Sequence, residues 1–381
     1  MARAPVDLSE PLPEADRVEG APHPRETRLL IGQQAAEAAF LDSYRRDRLH
    51  HGWLISGPRG VGKATLAWKI ARFLLATPED DGGMFAPSPP ESLDIPTEHP
   101  VARRMLALSE PRLFLLRRPW NDKAETPRHA QDIPVDEVRR MKSYFNMAAA
   151  DGGRRVAIID AADELNTSAA NALLKLLEEP PKGVTLLLVS HQPSRLLPTI
   201  RSRCRDLRLG PIDAEGMAQA LRNAGIETED AAALAELSGG SVGEAIRAET
   251  LDGVALYARI VRLFGTLPRL DRMGAAALAE SGAGRGKEAS FDLILRLIEL
   301  FLARLARAGA TGQSPPEAAA GEAALIARLS PDAPSARAWA DLAQGLSARV
   351  RRGRAVNLDP AALLMDMVLK IDETAGKLAP R

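Results

Sequence analysis

The chain has 381 residues, 50 Lys+Arg against 50 Asp+Glu, and one cysteine. That length suggests two or three domains, and zero net charge argues against a protein that coats nucleic acid or membrane by bulk electrostatics. The single Cys204 excludes an internal disulfide framework and a zinc site built on several thiolates, and it fits a reducing, cytoplasmic setting.

Residues 1–27 carry a net charge of −3 and five prolines, which predicts a disordered tail. They show no apolar core of the kind a secretory signal needs, and no apolar run in the chain is long enough to span a bilayer, so no membrane partner is expected. Residues 28–210 carry +5 and residues 211–381 carry −2. Gln33 to Tyr44 has helical spacing, with Ala36, Ala39 and Phe40 on one face. Gly52 to Ser56 is a short apolar run stopped by Gly-Pro and predicts a buried strand. Lys63 to Leu75 follows as a helix. Thr77 to Pro100, rich in Pro, Gly and acids, predicts a mobile insertion loop.

Further strands are expected at Arg112–Leu116, Arg155–Ile159, Thr185–Val189 and Arg205–Leu209. Helices are expected over 135–146 and from Asn166 or Thr167 to Glu178, where Pro180-Pro181 ends the second. Apolar strands alternating with helices mean a parallel sheet covered on both faces. Ligands then gather at the carboxyl ends of the strands. Beyond Pro211 strand signals vanish. A small helical domain over 211–250 and a helical bundle over 251–381 are expected. In the bundle, the stretch from Asp292 to Ala308 is apolar over more than one stripe, with Arg296, Glu299, Arg304 and Arg307 as its polar positions.

Gly57-Pro58-Arg59-Gly60-Val61-Gly62-Lys63 follows a strand and opens a helix. In that context backbone N–H groups and a helix N-terminus cradle phosphates, and Lys63 reaches toward them. A hydroxyl should follow the lysine to hold Mg²⁺. Ala64 has none. Thr65 is rotated by about 100° and cannot simply substitute. Asp160 ends the third strand as an acidic second motif, but Ala161 stands where an ATPase would place a water-polarising glutamate. Asp163 and Glu164 read as ordinary acids near a helix start. Whether Gly57, Pro58, Gly60, Val61, Gly62, Lys63, Ala64 and Thr65 still hold ATP is left open by these residues.

The segment Asn171-Ala172-Leu173-Leu174-Lys175-Leu176-Leu177-Glu178-Glu179-Pro180-Pro181, with Leu197-Pro198-Thr199-Ile200-Arg201-Ser202-Arg203-Cys204 after it, resembles the signature of the bacterial clamp-loader family of AAA+ proteins. Ile31-Gly32-Gln33 and the run from Trp53 to Lys63 fit the same pattern in order and spacing. The resemblance covers residues 28–250. It implies an AAA+ P-loop α/β domain over 28–210, a small helical lid over 211–250 and an all-α collar for oligomerisation over 251–381.

In this family the hydrolysing gamma/tau subunits carry Ser/Thr after the loop lysine, an Asp-Glu pair, four zinc cysteines and an arginine in a Gly-Ser-x-Arg segment. This chain has Ala64, Ala161, one cysteine and Gly243 at the matching positions. The departures imply a non-hydrolysing subunit without zinc, partnered by gamma/tau and delta subunits, and through the assembled ring by the sliding clamp and primed DNA. Arg203 then matches an arginine finger that serves a neighbour's ATP, and Ser190 matches a polar sensor-1 position. Without the resemblance, Arg201, Arg203 and Arg205 would read as a solvated basic stretch. The rival readings are a hydrolysing gamma/tau-like subunit, a nucleotide-sensing interaction protein outside replication, and a small-molecule kinase.

Overall fold

A computed structural model describes residues 13–18, 20–77, 89–122, 128–147 and 153–379. The strands are β1 (Gly52–Ser56), β2 (Leu113–Arg117), β3 (Trp120–Asn121), β4 (Arg128–His129), β5 (Arg155–Asp160), β6 (Val184–Ser190) and β7 (Arg205–Arg208). Five of them form a sheet of order β2-β5-β6-β1-β7, parallel at every pairing. The strands β3 and β4 make a short antiparallel pair of their own.

The helices of this part are α1 (Gln34–Arg45), α2 (Lys63–Ala76), α3 (Pro100–Leu106), α4 (Val135–Met147), α5 (Thr167–Glu178) and α6 (Pro198–Arg201). Alternation along the strands sends side chains to opposite faces. Trp53, Ile55, Val156, Ile158, Leu187 and Val189 pack with Phe40, Leu66, Ile70 and Phe73 of α1 and α2. Leu54, Ala157, Ile159, Leu186 and Leu188 face the other way, onto Met141, Phe145, Leu173 and Leu177 of α4 and α5. This is the expected α/β layout with a parallel sheet between helices. The cap of α5 is Asn166, whose side chain accepts from the Ala169 N–H at 2.9 Å.

Two expectations need correction. The described part of the 1–27 segment is folded: His23 is fully buried, and Glu14, Asp16 and Arg25 join it in an ion-pair cluster. Composition predicted disorder because the partners of these charges, such as Arg117, lie about a hundred residues away. The described part of the 77–100 insertion is anchored as well. Leu93 is buried, Asp94 pairs with Lys69 at 2.9 Å, and Arg45 Nε donates to the Pro90 carbonyl at 2.7 Å. Residues 78–88 of that insertion lie outside the described residues. The helix α3 and the β3–β4 pair were not expected.

The chain divides into two compact units. The first is Met1–Ile212 with Arg222–Gly225 and Ser241–Gly243; the second is Asp213–Leu221, Ile226–Gly240 and Glu244–Arg381. The remaining helices are α7 (Ala214–Asn223), α8 (Ala231–Ser238), α9 (Val242–Thr250), α10 (Gly253–Gly265), α11 (Arg272–Ser281), α12 (Glu288–Thr311), α13 (Glu322–Leu329), α14 (Ala333–Ala355) and α15 (Pro360–Leu378). In α12, residues Leu293, Leu297, Ile298, Phe301 and Leu305 are buried, and so is Arg304. Among the described residues, no helix is long and apolar enough to cross a membrane.

Candidate functional site

The loop from Gly57 to Lys63 joins the carboxyl end of the central strand β1 to the first turn of α2. Its three glycines have φ of 145°, 78° and 97° at Gly57, Gly60 and Gly62, which side chains rarely adopt. Space demands glycine too. A Cβ at Gly57 would lie 2.3 Å from the Leu209 carbonyl oxygen, and one at Gly60 would lie 2.2 Å from Ser241 Oγ. Gln33 fixes the base of the loop. Its Nε2 donates to the Gly210 carbonyl at 2.8 Å, and its Oε1 accepts from the Gly210 N–H at 3.2 Å. The backbone of Gly243 also reaches the loop, donating to the Gly60 carbonyl at 3.1 Å. A Cβ at Gly243 would lie 3.3 Å from Gly60 Cα, so the missing arginine leaves room for this backbone contact.

Lys63 is buried and donates to the Pro58 carbonyl within the same loop. Burial pushes its pKa down to about 8, opposed by the charges of Asp160 and Asp163. It is therefore still largely cationic at neutral pH. Asp160 ends β5, one strand beyond β6, and burial pushes its carboxyl up to about 7, with Asp16 and Glu164 adding to the rise. Ser190 ends β6 in register with Ser56 of β1. The Ser190 hydroxyl is fully buried and has no hydrogen-bond partner among the described residues. The carboxyl ends of β1, β5 and β6 thus bring together the loop, Lys63, Asp160 and Ser190.

Sequence reasoning missed the occupation of the neighbouring acids. Asp163 Oδ1 accepts from the His191 N–H at 2.9 Å, and Glu164 pairs with Arg118 at 2.8 Å. Each is engaged inside the protein, so neither stands as a free replacement for the glutamate missing at Ala161. His191 is held down to about 4, first by burial and then by the charge of Lys63, so it is neutral here.

These residues fit a phosphate: glycine backbone, a helix N-terminus, a buried cation and an unpartnered hydroxyl. They fit Mg²⁺ poorly. Ala64 offers no oxygen, and the Asp160 carboxyl is half protonated near neutral pH.

The raised Asp160 carboxyl has a stability consequence. Its folded pKa exceeds the unfolded one, so the stability it brings is full below about pH 4 and is lost as pH rises to 7. Asp160→Asn should therefore gain on the parent as pH rises. Urea unfolding should show an advantage that grows by about 2–3 kcal/mol between pH 5 and pH 8. A pH-independent difference would contradict the burial argument.

Arg203 stands apart from this site. It follows α6 just before β7, and its carbonyl oxygen would lie 3.3 Å from a Cβ at Gly52, the first residue of β1. The P-loop begins five residues on, about 17 Å along the strand. Arg203 is thus at the opposite end of β1 from the chain's own phosphate loop, beyond the reach of one side chain. Arg203 is half-buried, with its side chain 38% exposed, paired with Glu178 at 2.9 Å and donating to the Thr199 carbonyl at 3.1 Å. Cys204 beside it is half-buried, and burial pushes its thiol up to about 12, which suits a packing residue and not a nucleophile.

Residues 32–213 match a family model described as DNA polymerase III, delta subunit. A DNA polymerase III subunit delta' of Pseudomonas aeruginosa is 35% identical over 237 residues, which is 61% of this chain and 65% of that protein. A subunit delta' of Bacillus subtilis is 28% identical over 227 residues, 59% of this chain and 62% of that protein. The chain thus spans less than two thirds of the length of these relatives. Among solved structures, a DNA polymerase III gamma subunit-related protein of Thermotoga maritima aligns over 88% of this chain and 99% of that chain, at 15% identity and a TM-score of 0.36, a likeness too weak to carry weight. Over residues 32–213 the chain carries the pattern of the DNA polymerase III delta-subunit family, and the resemblance read from its sequence is borne out by relatives named delta'.

Proposed function

We propose that this chain is a non-hydrolysing, delta prime-type subunit of a bacterial replicative clamp loader, and that it supplies Arg203 in trans to an adjacent ATPase subunit. The observation that carries this reading is the separation of its two motifs. The phosphate loop sits at the carboxyl end of β1, without a metal hydroxyl or a free catalytic carboxylate. The half-buried Arg203 sits beside the amino end of the same strand. An arginine so placed serves another subunit's nucleotide, where its charge offsets that developing on the transferred phosphoryl group. The partners on this reading are gamma/tau and delta subunits, with the sliding clamp and primed DNA engaged through the cytoplasmic ring. The +5 charge of residues 28–210 favours DNA modestly.

The reading predicts that the isolated chain does not turn over ATP in the presence of Mg²⁺. It also predicts that Ala64→Thr, which restores the metal hydroxyl, stays inactive because position 161 still lacks a carboxylate. A colorimetric phosphate-release assay on both proteins checks this. Steady turnover by the parent chain would favour the hydrolysing gamma/tau-like reading instead.

A further inference from the structure

Residues 13–18 and 20–25 cross the nucleotide end of the first unit. Asp16 Oδ1 lies 2.7 Å from Arg117 Nη1, and Glu14 Oε1 lies 3.2 Å from the same nitrogen. Arg117 ends β2 directly beside Asp160 in the parallel register. Two residues after Asp16, Val18 Cγ2 would lie 3.8 Å from a Cβ at Gly243, the residue whose N–H bonds the Gly60 carbonyl. The segment then reaches α2. His23 is fully buried edge-on against Trp68, with ring centroids 5.9 Å apart, and Arg72 Nη2 donates to the Arg25 carbonyl at 2.7 Å. His23 Nε2 returns to Asp16 Oδ2 at 3.2 Å, and Arg25 pairs with Glu14 at 2.6 Å.

The segment is therefore fastened at the end of β2, beside the phosphate loop and along α2. We propose that residues 13–18 and 20–25 form an acidic strap over this chain's own phosphate loop, and that nucleotide enters only when the Glu14–Asp16–Arg117–His23 cluster opens. The chemistry supports exclusion. A nucleotide brings several negative charges, and Asp16 presents a fixed carboxylate near the site. Although burial alone would raise the Asp16 carboxyl, the His23 hydrogen bond and the Arg117 charge lower it to about 2, so it stays ionised. Its charge is felt at Asp160, whose carboxyl it helps to raise. A loop able to hold phosphate can thus remain closed to it. The strap explains how the glycines and Lys63 can persist without this chain behaving as a nucleotide-exchanging subunit.

Binding of a fluorescent ADP analogue to the isolated chain tests the strap, and it leaves the Arg203 reading untouched whichever way it falls. Three proteins are compared: the full chain, a deletion of residues 1–18, and that deletion carrying Arg117→Gln. The deletion keeps His23 and the packing on Trp68. The third protein removes the positive charge that the deletion sets free. Both deletions should bind the analogue at least tenfold more tightly than the full chain, since binding to a fractionally open site is weakened by that fraction. Equal affinity, or no binding by any of the three, overturns the strap. Tightening in the simple deletion alone also overturns it, because the freed Arg117 charge then accounts for the gain. Should the deletions fail to fold, full-length Glu14→Gln/Asp16→Asn is held to the same tenfold criterion. In the full chain, saturating ADP should also speed tryptic cleavage after Arg17, and unchanged cleavage would count against opening.

Discussion

Arg203→Ala in a reconstituted loader should lower ATP turnover at the adjacent subunit's site by about 10³–10⁵. That corresponds to about 4–7 kcal/mol of lost transition-state stabilisation. The side chain is 38% exposed and, among the described residues, makes one ion pair and one backbone hydrogen bond. Its removal should therefore cost little stability, since exposed ion pairs contribute about 0–1 kcal/mol. Ring assembly and the thermal midpoint of the isolated chain should stay near those of the parent. Arg203→Lys should not restore the rate, because an ammonium cannot reproduce the planar fork. Single-turnover hydrolysis in the presence of clamp and primed DNA measures the effect. A loss of turnover accompanied by loss of assembly would show that Arg203 holds the ring together instead.

Glu322→Ala should destabilise the second unit by about 3–5 kcal/mol. Glu322 is fully buried at the start of α13. Its carboxylate takes the Tyr257 hydroxyl from α10 and the Ala318 N–H, the latter at 2.8 Å. Arg304 of α12 lies across from it, with 2.7 Å between Nε and Oε1, and is itself 6% exposed. Glu236 of α8 at 3.2 Å and the Pro316 carbonyl complete the set around Arg304. Burial first, and then the Glu322 hydrogen bond, push the Tyr257 phenol far above its usual range, so it remains a donor. Truncating Glu322 leaves the Arg304 charge buried with Glu236 and the Pro316 carbonyl, without the carboxylate that lies closest to it. Urea unfolding followed by far-ultraviolet circular dichroism should report the loss. Glu322→Gln keeps the volume and an acceptor oxygen, and should cost less than the alanine.

The alternation of buried strands and helices was legible because it is local. Gly52–Ser56, the glycine spacing up to Lys63 and the Asn166 cap each depend on residues within a few positions of one another. The gathering of Lys63, Asp160 and Ser190 was legible for a second reason: in a parallel sheet, the carboxyl ends of successive strands share one edge. What escaped the sequence depends on distant partners. Arg304 reads as a polar position on a mostly apolar helix, yet it is buried, because Glu322 and Tyr257 arrive from other helices. Residues 13–18 and 20–25 read as tail because proline and acid dominate them, while Arg117 and Trp68, which hold them, are far along the chain. The engagement of Asp163 by the His191 backbone falls in the same class, since it spans two separate strand ends. Arg203 is the instructive case. Its motif was visible, but only the pairing of β7 with β1 puts it at the end of the sheet away from the chain's own loop.

On the proposed function, the ring's chemistry needs the Arg203 side chain from this subunit and not Lys63. Lys63→Ala and Arg203→Ala, placed separately in this chain within an otherwise unaltered loader, test it side by side through clamp- and DNA-stimulated ATP turnover. Lys63→Ala should keep near-parental turnover, and Arg203→Ala should lose the adjacent site's contribution. Loss with Lys63→Ala and parental turnover with Arg203→Ala would contradict the proposed function.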